Sequence, residues 1–225
     1  MKSTRQAVLL IGSAKRAGES TSEALGAYLA TRLRVQGVEV TTFAVHRALR
    51  TPARTRTLLA AVDDSDLLML AFPLYVDTLP ALVTQALETI AAHRHALGAP
   101  RPSWLLALAN CGFPEAAHNE VALEICQNFA AEAGMRWAGG LALGAGGAVH
   151  GGAIAGRGMT HTVARALDLT AAALSTDQPA PEEALALMRT PLMPGRLYTL
   201  MGNLGWHRMA QRNRVWRRLD DRPLT

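Results

Sequence analysis

AVLLIG (residues 7–12) runs straight into SAKRAGESTS (13–22), after which Leu25, Tyr28, Leu29 and Leu33 fall at helical spacing. An apolar run of strand length, a polar segment and then an amphipathic pattern read as strand, loop and helix. Gly37 ends that helix. VEVTTFAV (38–45) alternates in part, with valine and threonine suited to a pleated surface near a sheet edge. LLMLAF (67–72), closed by Pro73, is apolar throughout and predicts a strand buried on both faces.

The same alternation continues outward from these runs. An arginine-rich connection with a short helical piece around Leu58 to Val62 precedes the third strand. After it, Leu79, Leu82, Val83, Ala86, Leu87 and Ile90 repeat at three and four residues, the mark of a helix laid on a sheet. SWLLALAN (103–110) is a fourth strand. Ala122, Ile125, Phe129 and Ala133 form one face of a helix running from Asn119 to Gly134, and Trp137 to Leu143 is a fifth strand. A last helix spans Thr160 to Leu174. Strands too apolar to face water, alternating with helices, require a parallel sheet covered on both sides. Right-handed crossovers then reduce the choices to a doubly wound three-layer α/β sandwich built on a five-stranded parallel sheet.

Composition sets the limits. A chain of 225 residues, 49% hydrophobic, can bury roughly seven-tenths of the surface its unfolded form exposes, enough for one well-stabilised domain. We expect that domain over residues 1–176, with a linker (QPAPE, 178–182) and a C-terminal helical extension over 177–225. The net charge of +5 resides in that extension. Eight arginines face two aspartates from Arg189 onward, and the first 188 residues sum to −1. No recognition motif accompanies the arginines, so a nucleic-acid partner is not expected. Trp206 and Trp216 among arginines suit a membrane surface. The favoured reading packs Leu197, Leu200, Met201 and Leu204 on the body or on a dimer partner. Two cysteines fifteen residues apart, Cys111 and Cys126, offer neither a disulfide framework nor a CxxC motif, and no signal-like segment leads the chain, so a cytoplasmic protein is expected. Ala138 to Gly156 is apolar enough to mimic a membrane span, but its eight glycines predict a strand and then a loop.

Ligands of doubly wound folds sit beyond the carboxyl ends of the strands. Four loops therefore matter: 12–22, 73–78, 110–114 and 144–158. In the first, Ser13, Ser20, Thr21 and Ser22 offer hydroxyl donors and Lys15 and Arg16 offer charge, all at the start of a helix whose free N–H groups favour an anion. It is not a Walker A loop, because Glu19 follows Gly18. It is not the dinucleotide fingerprint either, because two of three glycines are missing and Glu39 lies inside the second strand instead of at its end. In the second loop, Pro73 and Pro80 stiffen a segment that presents Tyr75, a flat aromatic suited to a planar heterocycle. In the third, Gly112 lets backbone approach a ring, and Cys111 reads as a small buried filler. His93 and His95 read as polar caps at a helix end.

Taken together, the motifs from AVLLIGSAKRAGESTS to GLALGAGGAVHGG resemble those of the flavodoxin-like NAD(P)H-dependent FMN reductase and quinone reductase family. The resemblance implies a sheet of order 2-1-3-4-5. It also implies that Ser13, Lys15, Ser20, Thr21 and Ser22 bind the phosphate of FMN, that Pro73, Leu74, Tyr75 and Val76 line its isoalloxazine ring, and that Asn110, Cys111, Gly112 and Phe113 lie on the ring's other side. The implied activity takes hydride from NADPH or NADH and passes two electrons to a small-molecule acceptor (quinone, nitro, azo or flavin), in a homo-oligomer, dimer or tetramer. No side-chain acid or base is nominated. His118 and His150 lie near the rim and are candidates to pass a proton to a reduced quinone, although solvated surface histidines are the simpler reading. An electron carrier on the same fold and a cofactor-free interaction module are the alternatives. Carriers usually present an acidic face, which this near-neutral body lacks.

Overall fold

In the computed structural model, which describes residues 4–16, 18–149, 152, 154–219 and 221, five parallel strands form one sheet in the order β2-β1-β3-β4-β5. The strands are β1 (Gln6–Ile11), β2 (Glu39–Ala44), β3 (Leu67–Pro73), β4 (Trp104–Asn110) and β5 (Arg136–Leu143). The helices of the body are α1 (Thr21–Val35), α2 (Val45–Ala48), α3 (Pro52–Asp63), α4 (Ala81–Ala96), α5 (Glu120–Glu132), α6 (His161–Ser175) and α7 (Glu182–Arg189). The order is the one the resemblance implies, and the fold is the expected flavodoxin-like sandwich.

Side chains of the central strands alternate between two cores, which explains why their sequences are apolar without interruption. Leu9, Ile11, Met69, Ala71, Leu106 and Leu108 meet α1 and α6 on one face. Val8, Leu10, Leu70, Phe72, Leu105 and Ala107 meet α3, α4 and α5 on the other. Among the described residues β2 pairs only with β1, and its exposed positions mark an edge strand. The chain leaves β1 for α1 on one face and leaves β3 for α4 on the opposite face. A crevice opens between the carboxyl ends of these neighbouring strands, where strand order reverses.

Three local differences from the sequence pattern have physical causes. The helical piece expected at 58–62 begins earlier, because Thr51 Oγ1 accepts from the Arg54 amide (3.4 Å) and Pro52 occupies the first helical position. Glu39 opens β2, with its carboxylate held by the Gln6 side chain at 2.7 Å, so it stands at the end of the strand away from the crevice. The first compact unit continues to Leu192, beyond the Thr176 expected from composition. A bulge explains that extension. Trp137 and Gly139 take successive partners on β4, Ala138 is left out of that ladder, and its carbonyl accepts from the Ala180 amide at 2.8 Å. Gly139, at φ +126°, permits this approach, since a Cβ there would lie 3.2 Å from the Ala180 methyl. The segment after α6 thereby covers the edge of β5, and α7 buries Ala184 and Met188.

His93 and His95 tie α4 to its neighbours, as expected of polar groups at a helix end. His93 Nε2 lies 2.7 Å from Asp63 Oδ2 and His95 Nε2 lies 2.6 Å from the Glu132 carbonyl. The second unit, from Met193, contains α8 (Gly195–Arg212) and a short turn at Trp216–Arg218. Arg214, at φ +58°, ends α8 in a Schellman turn with the Val215 amide donating to the Ala210 carbonyl at 2.9 Å. Leu197, Leu200, Met201 and Leu204 are exposed. No described helix is long and apolar enough to cross a membrane.

Candidate functional site

Gly12 carries the chain out of β1 through a gap that admits no side chain. A Cβ there would lie 2.5 Å from Val83 Cγ2 and 2.8 Å from Phe72 Cβ. The loop then closes on the start of α1 through two reciprocal bonds: Ser20 Oγ accepts from the Glu23 amide (3.3 Å), and Glu23 Oε2 accepts from the Gly18 amide (3.1 Å). Thr21 Oγ1 donates to the Gly146 carbonyl and Ser22 Oγ donates to Asn110 Oδ1, each at 2.7 Å and both buried.

The hydroxyl protons of Thr21 and Ser22 are therefore committed to the protein. They tie the first turn of α1 to the ends of β4 and β5. What these residues leave for an anion is backbone. Among the described residues, the Ser20, Thr21 and Ser22 amides have no hydrogen-bond partner, as the first amides of any helix must lack one within it. The formal charges of Lys15 and Arg16 are also cancelled by Glu19 and Glu23. Attraction for an anion thus rests on oriented amides and the helix dipole more than on net loop charge.

At the end of β3, Leu74 donates to the Asn110 carbonyl at 2.8 Å, and Tyr75 and Thr78 exchange both backbone bonds at 2.9 and 3.2 Å. Val76 (φ +48°) and Asp77 (φ +59°) form the two-residue turn between them, a geometry that normally selects glycine or asparagine. A β-branched residue held there costs about 1–2 kcal/mol. The two bonds between Tyr75 and Thr78 hold the turn against that strain, while Val76 itself is 97% exposed at the tip.

The loops after β4 and β5 are zipped together. Cys111 donates to the Leu143 carbonyl (3.0 Å), Gly146 to the Cys111 carbonyl (2.8 Å) and Ala145 to the Phe113 carbonyl (2.6 Å). Glycine is required at residue 144, where a Cβ would lie 2.2 Å from the Pro114 carbonyl oxygen. The Cys111 thiol is buried among the carbonyls of Phe113 and Glu115 (3.5 Å each), and burial pushes it above the ordinary thiol range. Burial pushes Cys126 up to about 12. Both are free thiols. We expect neither to react with iodoacetamide at pH 7.5 in the native protein and both to react in guanidinium. Rapid native alkylation at Cys111 would show an activated thiolate instead.

These pieces enclose a cleft of about 190 Å³ at the switch point. Its lining brings together eleven of the thirteen residues expected there: Ser13, Lys15, Ser20, Thr21, Ser22, Pro73, Leu74, Tyr75, Asn110, Cys111 and Gly112. Val76 and Phe113 do not line it. Phe113 stacks on His118 with ring centroids 4.3 Å apart, outside the lining. His150 lies outside the described residues. Gly146 and Gly147 complete the lining without having been singled out. Their signal was the GAGG run (144–147), readable as glycine-rich but not as backbone folded against Asn110.

No protein-family model and no curated protein matches the sequence. Solved structures do match. An NADH:FMN oxidoreductase in its apo form superimposes with a TM-score of 0.55 at 16% identity, over 85% of this chain and 97% of that one. An NAD(P)H:quinone oxidoreductase from Methanothermobacter marburgensis gives 0.57 at 13% identity, over 74% and 96%. An azoreductase from Bacillus anthracis gives 0.51 at 12%, over 77% and 99%. At these identities the likeness establishes the flavodoxin-like fold.

Proposed function

We propose that the protein is an NAD(P)H-dependent FMN oxidoreductase that reduces a quinone, azo, nitro or flavin acceptor. One observation carries this reading: residues from three separate loops, chosen for a phosphate and a flat ring, line a single cleft at the switch point of the sheet. The similar structures, named as reductases of FMN, quinones and azo compounds, support it.

The residues present fit the cofactor. A phosphate would be held by the Ser20, Thr21 and Ser22 amides, the Ser20 hydroxyl and Lys15. Hydrogen bonds to a charged group are worth about 1.5–3 kcal/mol each, so three or four anchor it firmly. Pro73, Leu74 and Tyr75 would bound one side of the ring. Gly112 would bound the other, since a Cβ there would meet nothing within 4 Å and the cleft is open at that point. Bound FMN supplies the hydride-accepting and electron-passing chemistry. The chain's own residues bind, orient and exclude water.

A homo-oligomer, most simply a dimer, is the assembly expected on this reading. Two buried free thiols suit the reducing cytoplasm. The visible spectrum of the purified protein, before and after anaerobic addition of NADPH or NADH, tests the activity. Flavin absorbance that bleaches within the dead time of manual mixing is expected. A colourless protein that leaves FMN fluorescence unchanged on titration sinks the proposal, and bound flavin that neither nicotinamide reduces identifies an electron carrier.

A further inference from the structure

β2 ends at Ala44, in register with Ile11 of β1, and the chain turns at once into α2, which carries His46 and Arg47. A second groove, of about 200 Å³, opens at this point between α1 and β2. Leu9, Ile11, Ala27, Ala30 and Ala44 make its apolar part. Lys15, Arg34, His46 and Arg47 are its basic groups, and Glu23 is its one acid. Ser13 and Lys15 line this groove and the cleft alike, so the two adjoin.

Among the described residues these basic groups are little used in ion pairs. Among the described residues no carboxylate pairs with Lys15, Arg34 or Arg47, although Arg5, Arg32, Arg101, Arg136, Arg165 and Arg218 all have acidic partners. Arg34 gives one N–H to the Val40 carbonyl at 2.8 Å and keeps its other donors. His46 Nδ1 is a buried atom without a hydrogen-bond partner among the described residues, which is uncommon for a buried polar atom. Glu23 carries its charge at the cradle end, accepting from Gly18.

Two nicotinamide donors differ by one group on the adenosine ribose, a 2′-hydroxyl in NADH and a 2′-phosphate in NADPH. A hydroxyl is well recognised by a carboxylate, and a phosphate by an arginine. Here the end of β2 presents His46 and Arg47, and the nearest acid in sequence, Glu39, sits at the strand's opposite end. We infer that this groove receives the adenosine end of the donor, holds its 2′-phosphate with Arg47 and His46, and so selects NADPH. The inference rests on the flavin reading of the adjoining cleft.

Calorimetric titration of the full chain with adenosine 2′,5′-bisphosphate and with adenosine 5′-diphosphate tests it. The probes share adenosine and phosphate number and differ in where one phosphate stands. Wild-type protein binds the 2′,5′ probe at least tenfold tighter. Arg47→Ala removes about tenfold of that preference, and because Arg47 is exposed the variant folds. His46→Gln, a second variant, weakens the 2′,5′ probe alone. Equal affinity for the two probes, or a preference that survives both substitutions, overturns the inference. FMN fluorescence titration on the same samples separates the two readings. Protein that binds FMN but shows no 2′,5′ preference loses only the donor inference. Protein that prefers the 2′,5′ probe but ignores FMN keeps the groove and loses the flavin reading.

Discussion

Gly144→Ala is expected to lower stability by about 3–5 kcal/mol and to abolish FMN binding at micromolar cofactor. The new Cβ would lie 2.2 Å from the Pro114 carbonyl oxygen, 2.8 Å from the Pro114 carbonyl carbon and 2.9 Å from the Ala116 amide nitrogen. All three neighbours are backbone, so no rotamer change makes room. The loops after β4 and β5 must part, which breaks the bonds from Ala145 to Phe113 and from Gly146 to Cys111 and pulls the Gly146 carbonyl from Thr21. Overpacking costs about 1–3 kcal/mol and each buried polar group left unpaired about 1–3 more. A chain of this length loses roughly 2–4 °C of Tm per kcal/mol, so thermal melting should fall by about 10 °C. Gly112→Ala is the control. Its Cβ meets nothing within 4 Å, so Tm should hold while FMN affinity drops, because the methyl enters the cleft. Unchanged melting of Gly144→Ala would show that the two loops are not locked as described.

The parts of the fold that were legible in the sequence are those whose burial leaves a local pattern. β1, β3 and β4 are apolar almost throughout because both their faces are covered, and the glycine after α1 marks its end. The missed parts depend on partners distant in sequence. α7 was hidden behind QPAPE because its burial comes from the bulge at Ala138, which no residue near 182 announces. The cradle was legible as a cluster of hydroxyls, but their use was not. Thr21 and Ser22 find acceptors 125 and 88 residues away, which turns them from ligand donors into braces. Likewise Lys15, Arg34 and Arg47 are ordinary surface cations in the sequence, and only the pairing of β2 with β1 gathers them around one groove.

Asn110→Asp tests the anion cradle with almost no change of shape. In the native protein Asn110 Oδ1 accepts from Ser22 Oγ at 2.7 Å, a bond that a carboxylate oxygen retains. The residue is only 7% exposed and lines the cleft. The substitution therefore adds one negative charge beside the proposed phosphate and little else. Through an effective dielectric of about 20, a unit charge several ångströms away costs roughly 2 kcal/mol per phosphate charge. FMN affinity at pH 8 should consequently fall by well over tenfold, whereas riboflavin, which lacks the phosphate, should lose much less. Burial disfavours the charged carboxyl and raises its pKa. As pH falls through that raised value the side chain becomes neutral, and FMN affinity should recover in the variant along a step that the wild type lacks. Equal losses for FMN and riboflavin would mean that the introduced carboxylate has merely distorted the cleft. Undiminished FMN binding at pH 8 would mean that the phosphate lies elsewhere, and the loop from Gly12 to Ser22 would then be a strand-to-helix turn and not a cradle.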